Sequence, residues 1–248
     1  MVELDGLSKR YGDFTAIALL SLRVSRGEIF ALLGPNGAGK TTTLRILMGF
    51  LKPTGGTARI AGLDCFEQRV ELKRSIGYLP DEPVFYDYLR GREIIEFSGD
   101  MHGLARDVIA ARATPLVERL ELSSAIDDYA VNYSRGMKKK LALICALLHE
   151  PALLILDEPT SGLDPLASRR LNELILERQA RGVTVLLSSH LLDQVERLCQ
   201  RMAIIAGGRI AAVGTLEELR RERVQGGSLE DIFFAVTGGE SETSGGSA

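Results

Sequence analysis

At 248 residues, with 45% hydrophobic, 25% charged and 6% aromatic side chains, the chain has the make-up of an ordinary globular protein, which excludes disordered, collagenous and coiled-coil classes. Lys and Arg number 30 against 33 Asp and Glu, a net charge of −3, so no global basic field points to nucleic acid or an anionic membrane surface, and anion binding has to be local. The three cysteines, Cys65, Cys145 and Cys199, have no paired spacing and read as buried thiols of a reducing compartment, while His102, His149 and His190 are scattered without ligand spacing, so a metal is expected on oxygen donors.

The first residues, Met1 to Phe14, lack a charged-then-apolar leader pattern, and no run approaches the roughly 18 apolar residues of a membrane span, so the chain reads as cytosolic unless a partner holds it. Met1 to Leu7 and Ala18 to Val24 read as short strands of a β-rich entrance over about 1–27, followed by a buried strand from Glu28 to Leu33. Helical spacing then runs from Thr41 to Leu51, stopped by Lys52-Pro53-Thr54-Gly55-Gly56 before a strand from Thr57 to Ile60. Residues 84–140, rich in Arg, Glu and Asp and interrupted by Gly91, Gly99 and Gly103, predict an inserted helical lobe. After Gly136 a helix to about Leu148, a strand Ala152 to Leu156, a helix Pro165 to Arg181, a strand Val183 to Leu187, a helix Leu191 to Arg201 and a strand Met202 to Ile205 alternate, which predicts a mostly parallel sheet. The α/β core is thereby assigned to about 28–83 and 141–215, with an extension over 216–237 and a disordered tail over 238–248.

The chemistry begins at Gly34-Pro35-Asn36-Gly37-Ala38-Gly39-Lys40-Thr41, with Thr42 following, set between a predicted buried strand and a predicted helix. That is the context of a phosphate loop: glycines let backbone N–H groups curl around phosphates and the helix N-terminus adds partial positive charge. Lys40 reaches the terminal phosphates and Thr41 offers a hydroxyl to Mg²⁺. Leu153 to Leu156 is an apolar strand ending in Asp157 and Glu158, so both acids emerge where parallel sheets place their ligands. Asp157 suits Mg²⁺, and Glu158 suits a general base that orients a water for attack on a γ-phosphate.

These motifs, with what lies between and after them, resemble the ATP-binding subunit of ABC transporters over about Val2 to Thr237. Tyr133-Ser134-Arg135-Gly136-Met137 stands where that family has its LSGGQ signature, keeping Ser134 and Gly136 while replacing the first glycine by Arg135 and the glutamine by Met137. Ser161-Gly162-Leu163-Asp164 is similar to the family's D-loop, His190 to its switch histidine and Tyr11 to its adenine-stacking residue. In the Q-loop, Ile76-Gly77-Tyr78-Leu79-Pro80-Asp81 carries Asp where most members have Gln; Asp81 keeps an oxygen for a metal or its water but loses the amide donor.

The resemblance implies a phosphate-loop NTPase core with an antiparallel β subdomain and an inserted helical subdomain, using ATP and Mg²⁺. It implies catalytic roles for Glu158, His190 and Lys40, and nucleotide contacts from Tyr11, residues 34–42, Ser134, Gly136 and Asp164, with Thr41, Asp157 and Asp81 facing the metal. It also implies a head-to-tail dimer with a second copy or a homologous subunit, and a polytopic permease that holds the chain at the cytoplasmic face of a membrane. The YSRGM signature, the LPDEP segment and Ser228 to Phe234 are most similar to export-type members of the multidrug and sodium efflux kind.

The competing class is a soluble ABC-type ATPase acting on a ribosome or DNA complex, but tandem halves or a long coiled-coil insert are absent from the sequence and no nucleic-acid footprint is present. A metabolic kinase using the same loop leaves Ser134, Asp164 and His190 without a role. Two segments keep two readings each. Arg135, Lys138, Lys139 and Lys140 crowd a helix start, where cations oppose the helix dipole, and read either as an anion site or as a solvated basic face. Pro83 to Leu89, with three aromatics, reads either as a docking groove or as packing of the lobe.

Overall fold

The computed structural model describes residues 1–223 and 227–238, so the expected tail lies outside the described residues apart from Gly238. In chain order the elements are β1 (Val2–Tyr11), β2 (Phe14–Val24), β3 (Ile29–Leu33), α1 (Lys40–Leu47), β4 (Gly55–Ile60), β5 (Leu63–Asp64), α2 (Arg69–Leu72), β6 (Ile76–Leu79), α3 (Gly91–Met101), α4 (Arg106–Arg119), α5 (Arg135–Leu148), β7 (Leu153–Asp157), α6 (Pro165–Ala180), β8 (Thr184–Ser189), α7 (Leu192–Leu198), β9 (Arg201–Ala206), β10 (Arg209–Gly214), α8 (Leu216–Arg223) and α9 (Leu229–Thr237). They divide into two units, one built from Met1–Arg69 with the chain from Leu186 onward, the other from Val70–Val185.

In the first unit, β1 and β2 form a hairpin closed by Gly12-Asp13, and Gly12 sits at φ 57, a conformation glycine adopts without penalty. The tight turn lets both strands run further than the apolar pattern alone predicts. β1 also pairs antiparallel with β4, and β4 with β5, giving the order β2-β1-β4-β5. Strand β4 thus belongs to the antiparallel sheet, although the sequence assigned it to the α/β core. The register explains why: Val2 faces Val24 and Ile60, and Leu4 faces Leu22 and Ala58, all buried on one side. On the other side Glu3 faces Arg23 and Arg59, a favourable cross-strand placement of opposite charges.

The same unit holds β3, parallel to β9, which is in turn antiparallel to β10. Helix α7 ends at Leu198, short of the expected Arg201, because Cys199 turns extended and Gln200 is already locked to β3: its N–H donates to Ile29 O at 3.1 Å and its Oε1 accepts from Ile29 N at 2.6 Å. Helix α9 starts at a Ser228–Asp231 capping box and buries Leu229 and Ile232.

In the second unit β6 and β7 pair in parallel, all five residues of β7 being buried. Helices α3, α4 and α5 bury Ile94, Ile95, Ile109, Leu116, Ile144 and Leu148. Gly99 is required where α3 meets α4, since a Cβ there would collide with Ile109. Burial pushes the thiols of Cys65, Cys145 and Cys199 up to about 12.

Two histidines that look unrelated in the sequence are stacked here, with the rings of His102 and His149 3.7 Å apart and 6° from parallel. Burial first, and the neighbouring His102 second, holds His149 down from 6.5 to about 4, and burial also lowers His102. The folded state therefore keeps the neutral ring while the unfolded chain takes a proton below 6.5, so stability is present above that pH and is lost as pH falls toward 4. The melting temperature of the wild type is expected to fall more steeply over this interval than that of His149→Phe; parallel curves for the two proteins would overturn the assignment.

Candidate functional site

The five buried residues of β3 deliver the chain to the glycine loop. Gly34 is closed in, because a Cβ there would fall on the carbonyl oxygen of Ile205, and a Cβ on Gly39 would lie 2.6 Å from Ala16 O. Gly37 and Gly39 adopt φ 80 and φ 105, which side chains resist, and the Ala38 N–H donates to Pro35 O at 3.2 Å to close the turn. Pro35, Asn36 and Gly37 are exposed at the mouth, whereas Gly34, Ala38, Gly39 and Lys40 are buried.

Helix α1 begins at Lys40 with Gly39 as its N-cap, without a side-chain cap and without an acid in its first turn. Its N-terminal partial charge is therefore left for a ligand. The Lys40 ammonium is buried and donates to Gly34 O at 2.6 Å and Pro35 O at 3.1 Å, folded over the loop. Thr43 Oγ1 donates back to Gly39 O at 2.9 Å and fixes the helix start, next to the half-buried Thr41 and Thr42. A concave backbone of this kind with an enclosed ammonium matches the chemistry of a polyphosphate. Elsewhere in this unit Tyr11 closes β1, 46% exposed, with Lys9 Nζ 5.0 Å from its ring centroid. His190 follows β8 and is exposed.

In the second unit β7 places Asp157, only 2% exposed, at its carboxyl end, as the pattern predicts. Glu158 follows at φ 46, a left-handed conformation that costs a non-glycine residue about 1–2 kcal/mol. Its carbonyl is held by Lys139 Nζ at 2.5 Å. The same ammonium donates to Ser161 O at 3.0 Å and Asp81 Oδ1 at 3.3 Å. Lys139 is wholly buried, and burial lowers its pKa while Asp81 opposes the shift. Neither a solvated face nor a free anion site describes this lysine, because its acceptors come from its own chain.

Ser134 caps α5, its Oγ accepting from Met137 N at 3.2 Å, and the first turn of α5 contains no acid. Gly136 lies against the D-loop, where a Cβ would be 3.1 Å from Gly162 O. Asp164 caps α6, and the bond that its carboxylate accepts from Ala167 N at 2.8 Å holds it below the ordinary carboxylate range. Asp81 has its Oδ1 shared by Arg135 Nη2 at 3.1 Å and Lys139 Nζ at 3.3 Å. The second unit thus gathers Asp81, Arg135, Lys139, Glu158 and Ser161. A lysine in a basic run carries no local sign of burial, so the sequence does not single out Lys139. Among the described residues no group of three or more His, Cys, Asp or Glu forms a metal cluster.

The ABC transporter family model matches residues 17–161. The daunorubicin resistance ATP-binding protein DrrA3 of Streptomyces coeruleorubidus is 37% identical over 237 residues, 96% of this chain and 74% of the relative. A solved structure of the ATP-binding subunit of an ABC transporter superimposes with a TM-score of 0.90 at 35% identity, covering 95% of this chain and 99% of the other. A bacterial ABC transporter cassette solved as a dimer shares the fold with a TM-score of 0.81 at 23% identity, covering 87% and 99%. With its glycine cradle, its buried strand-end aspartate and these relatives, the chain belongs to the ABC transporter family, as an ATP-binding subunit that hydrolyses ATP.

Proposed function

We propose that this subunit powers export of a substrate through a separate membrane-spanning subunit. The observation that carries the reading is an apolar groove of about 490 Å³ in the second unit, lined by Phe85, Tyr86, Leu89, Phe97 and Met101. Tyr86 is 71% and Tyr88 86% exposed, and Tyr86 meets Phe97 edge-on with ring centroids 6.5 Å apart. Aromatics left this bare belong to an interface rather than to packing of the lobe. Among the described residues no helix is long and apolar enough to cross a membrane. The resistance function in the name of the Streptomyces relative supports the export direction.

In this reading Lys40 and the backbone of residues 34–39 hold the phosphates of ATP, and Tyr11 stacks on the adenine. Thr41 and Asp157 supply oxygens to Mg²⁺, which neutralises developing phosphate charge when bound. Glu158 orients and deprotonates the attacking water, with His190 at the γ-phosphate. Ser134, Gly136 and Asp164 act on nucleotide held by a second copy in a head-to-tail arrangement. The chain then works at the cytoplasmic face of the membrane through its permease.

Tagged Glu158→Gln protein with Mg-ATP is expected to capture a polytopic membrane protein from detergent-solubilised membranes of its source. Tyr86→Ala and Tyr88→Ala in the same background are expected to lower that capture while ATP binding is retained. Recovery of only ribosomal or DNA-bound partners would overturn the transporter role, and undiminished capture by both tyrosine variants would overturn the groove.

A further inference from the structure

Two of the positions at which this sequence departs from the family pattern touch each other. Asp81 stands at the Q-loop glutamine and Arg135 at the first signature glycine, and Arg135 Nη2 donates to Asp81 Oδ1 at 3.1 Å and to Ser161 Oγ at 3.1 Å. Glu82 Oε1 is 3.9 Å from the same nitrogen. The aliphatic stem of Arg135 lies along Gly162, where an added Cβ would come within 3.0 Å of its Cδ. One turn further along α5, Lys139 reaches the same Asp81 oxygen as well as the carbonyls of Glu158 and Ser161. Arg135 and Lys139 therefore tie together three segments: the stretch after β6 that carries Asp81, the start of α5 and the turn that carries Glu158 and Ser161.

Charge explains why the two substitutions belong together. The first turn of α5 contains no acid, so Arg135 and Lys139 have no carboxylate within their own turn. A glutamine at position 81 would leave Arg135 with only the more distant Glu82, and a glycine at 135 would leave Asp81 with Lys139 alone. An oxygen already shared by two cations is also a poor donor to Mg²⁺, since a third positive charge has to displace them.

We propose that Asp81 is a positioning residue, acting through Arg135 and Lys139 to hold the signature turn Ser134–Gly136 in register with the turn of Glu158, and that it does not ligate the metal. This rests on the ATPase reading above. The Asp81 and Arg135 side chains are 40% and 49% exposed, so the pair contributes little to stability. Its effect falls on turnover, where a displacement of about 1 Å costs up to about a hundredfold.

The test is steady-state ATP hydrolysis by the wild type, Asp81→Asn, Asp81→Glu, Arg135→Gln and the Asp81→Asn/Arg135→Gln double variant, each titrated with ATP and with Mg²⁺. Asp81→Asn is expected to lower kcat about tenfold, with KM for ATP and half-saturating Mg²⁺ changed by less than about twofold. Asp81→Glu should recover most of the loss. Arg135→Gln should fall in the same way, and the double variant should be no worse than Asp81→Asn within about twofold, because both remove one contact. A raised Mg²⁺ requirement in Asp81→Asn, additive losses in the double variant, or an unchanged kcat would each overturn the proposal. A wild type that does not turn over ATP would overturn the ATPase reading and this inference with it, whereas turnover insensitive to both positions overturns the inference alone.

Discussion

Replacing Glu158 by Gln is expected to cut ATP turnover by at least about a hundredfold, the usual worth of a positioned general base, while ATP binding persists. The amide has the size and shape of the carboxylate but cannot take a proton from water. The local backbone should survive the change, because Lys139 grips the main-chain carbonyl of residue 158 rather than its side chain. Binding without turnover also favours accumulation of the ATP-loaded dimer. Phosphate release and light scattering with Mg-ATP check both halves of the expectation: a variant that hydrolyses at the wild-type rate removes Glu158 from the mechanism, and one that no longer binds ATP shows that the substitution disturbed more than the base.

The second large effect is on stability. Lys139→Met is close to isosteric and removes only the ammonium, which takes a donor from the carbonyls of Glu158 and Ser161, leaves the first with the Ser161 N–H at 3.1 Å, and leaves Asp81 with Arg135. The three buried bonds lost cost together about 3 kcal/mol, which lowers the melting temperature of a chain of this size by roughly 6–12 °C. Turnover should fall with it, since the left-handed Glu158 loses one of the two donors on its carbonyl. Lys138→Met and Lys140→Met, on side chains that are not fully buried, are the controls and should change stability by less than about 0.5 kcal/mol. Equal melting of all three variants would show that the buried lysine does no more than its neighbours.

What the sequence made legible was whatever local pattern specifies. The glycine loop announces itself because its spacing, the apolar run before it and the helical period after it are all contiguous, and the structure keeps them so from β3 through α1. Asp157 was readable for the same reason, as the last residue of an uninterrupted apolar strand. Placement that depends on distant partners was not readable. Strand β4 looks like a core strand until its register with β1 is known, and Lys139 looks solvated until its acceptors, 19 and 22 residues further on, are folded beneath it. His102 and His149 give no sign in the sequence that their rings will stack. Asp81 and Arg135 were each visible as a departure from the family, but only folding shows that one departure answers the other.

The burial of the three cysteines has a practical consequence. Burial raises each thiol to about 12, which disfavours the thiolate, the form that alkylating reagents and peroxide attack. A maleimide fluorophore or nitroxide will therefore discriminate strongly in favour of a cysteine introduced on the surface. Labelling at limiting reagent and near-neutral pH is thereby directed to the introduced site, with the wild type as the control for Cys145 and Cys199, which are only partly buried.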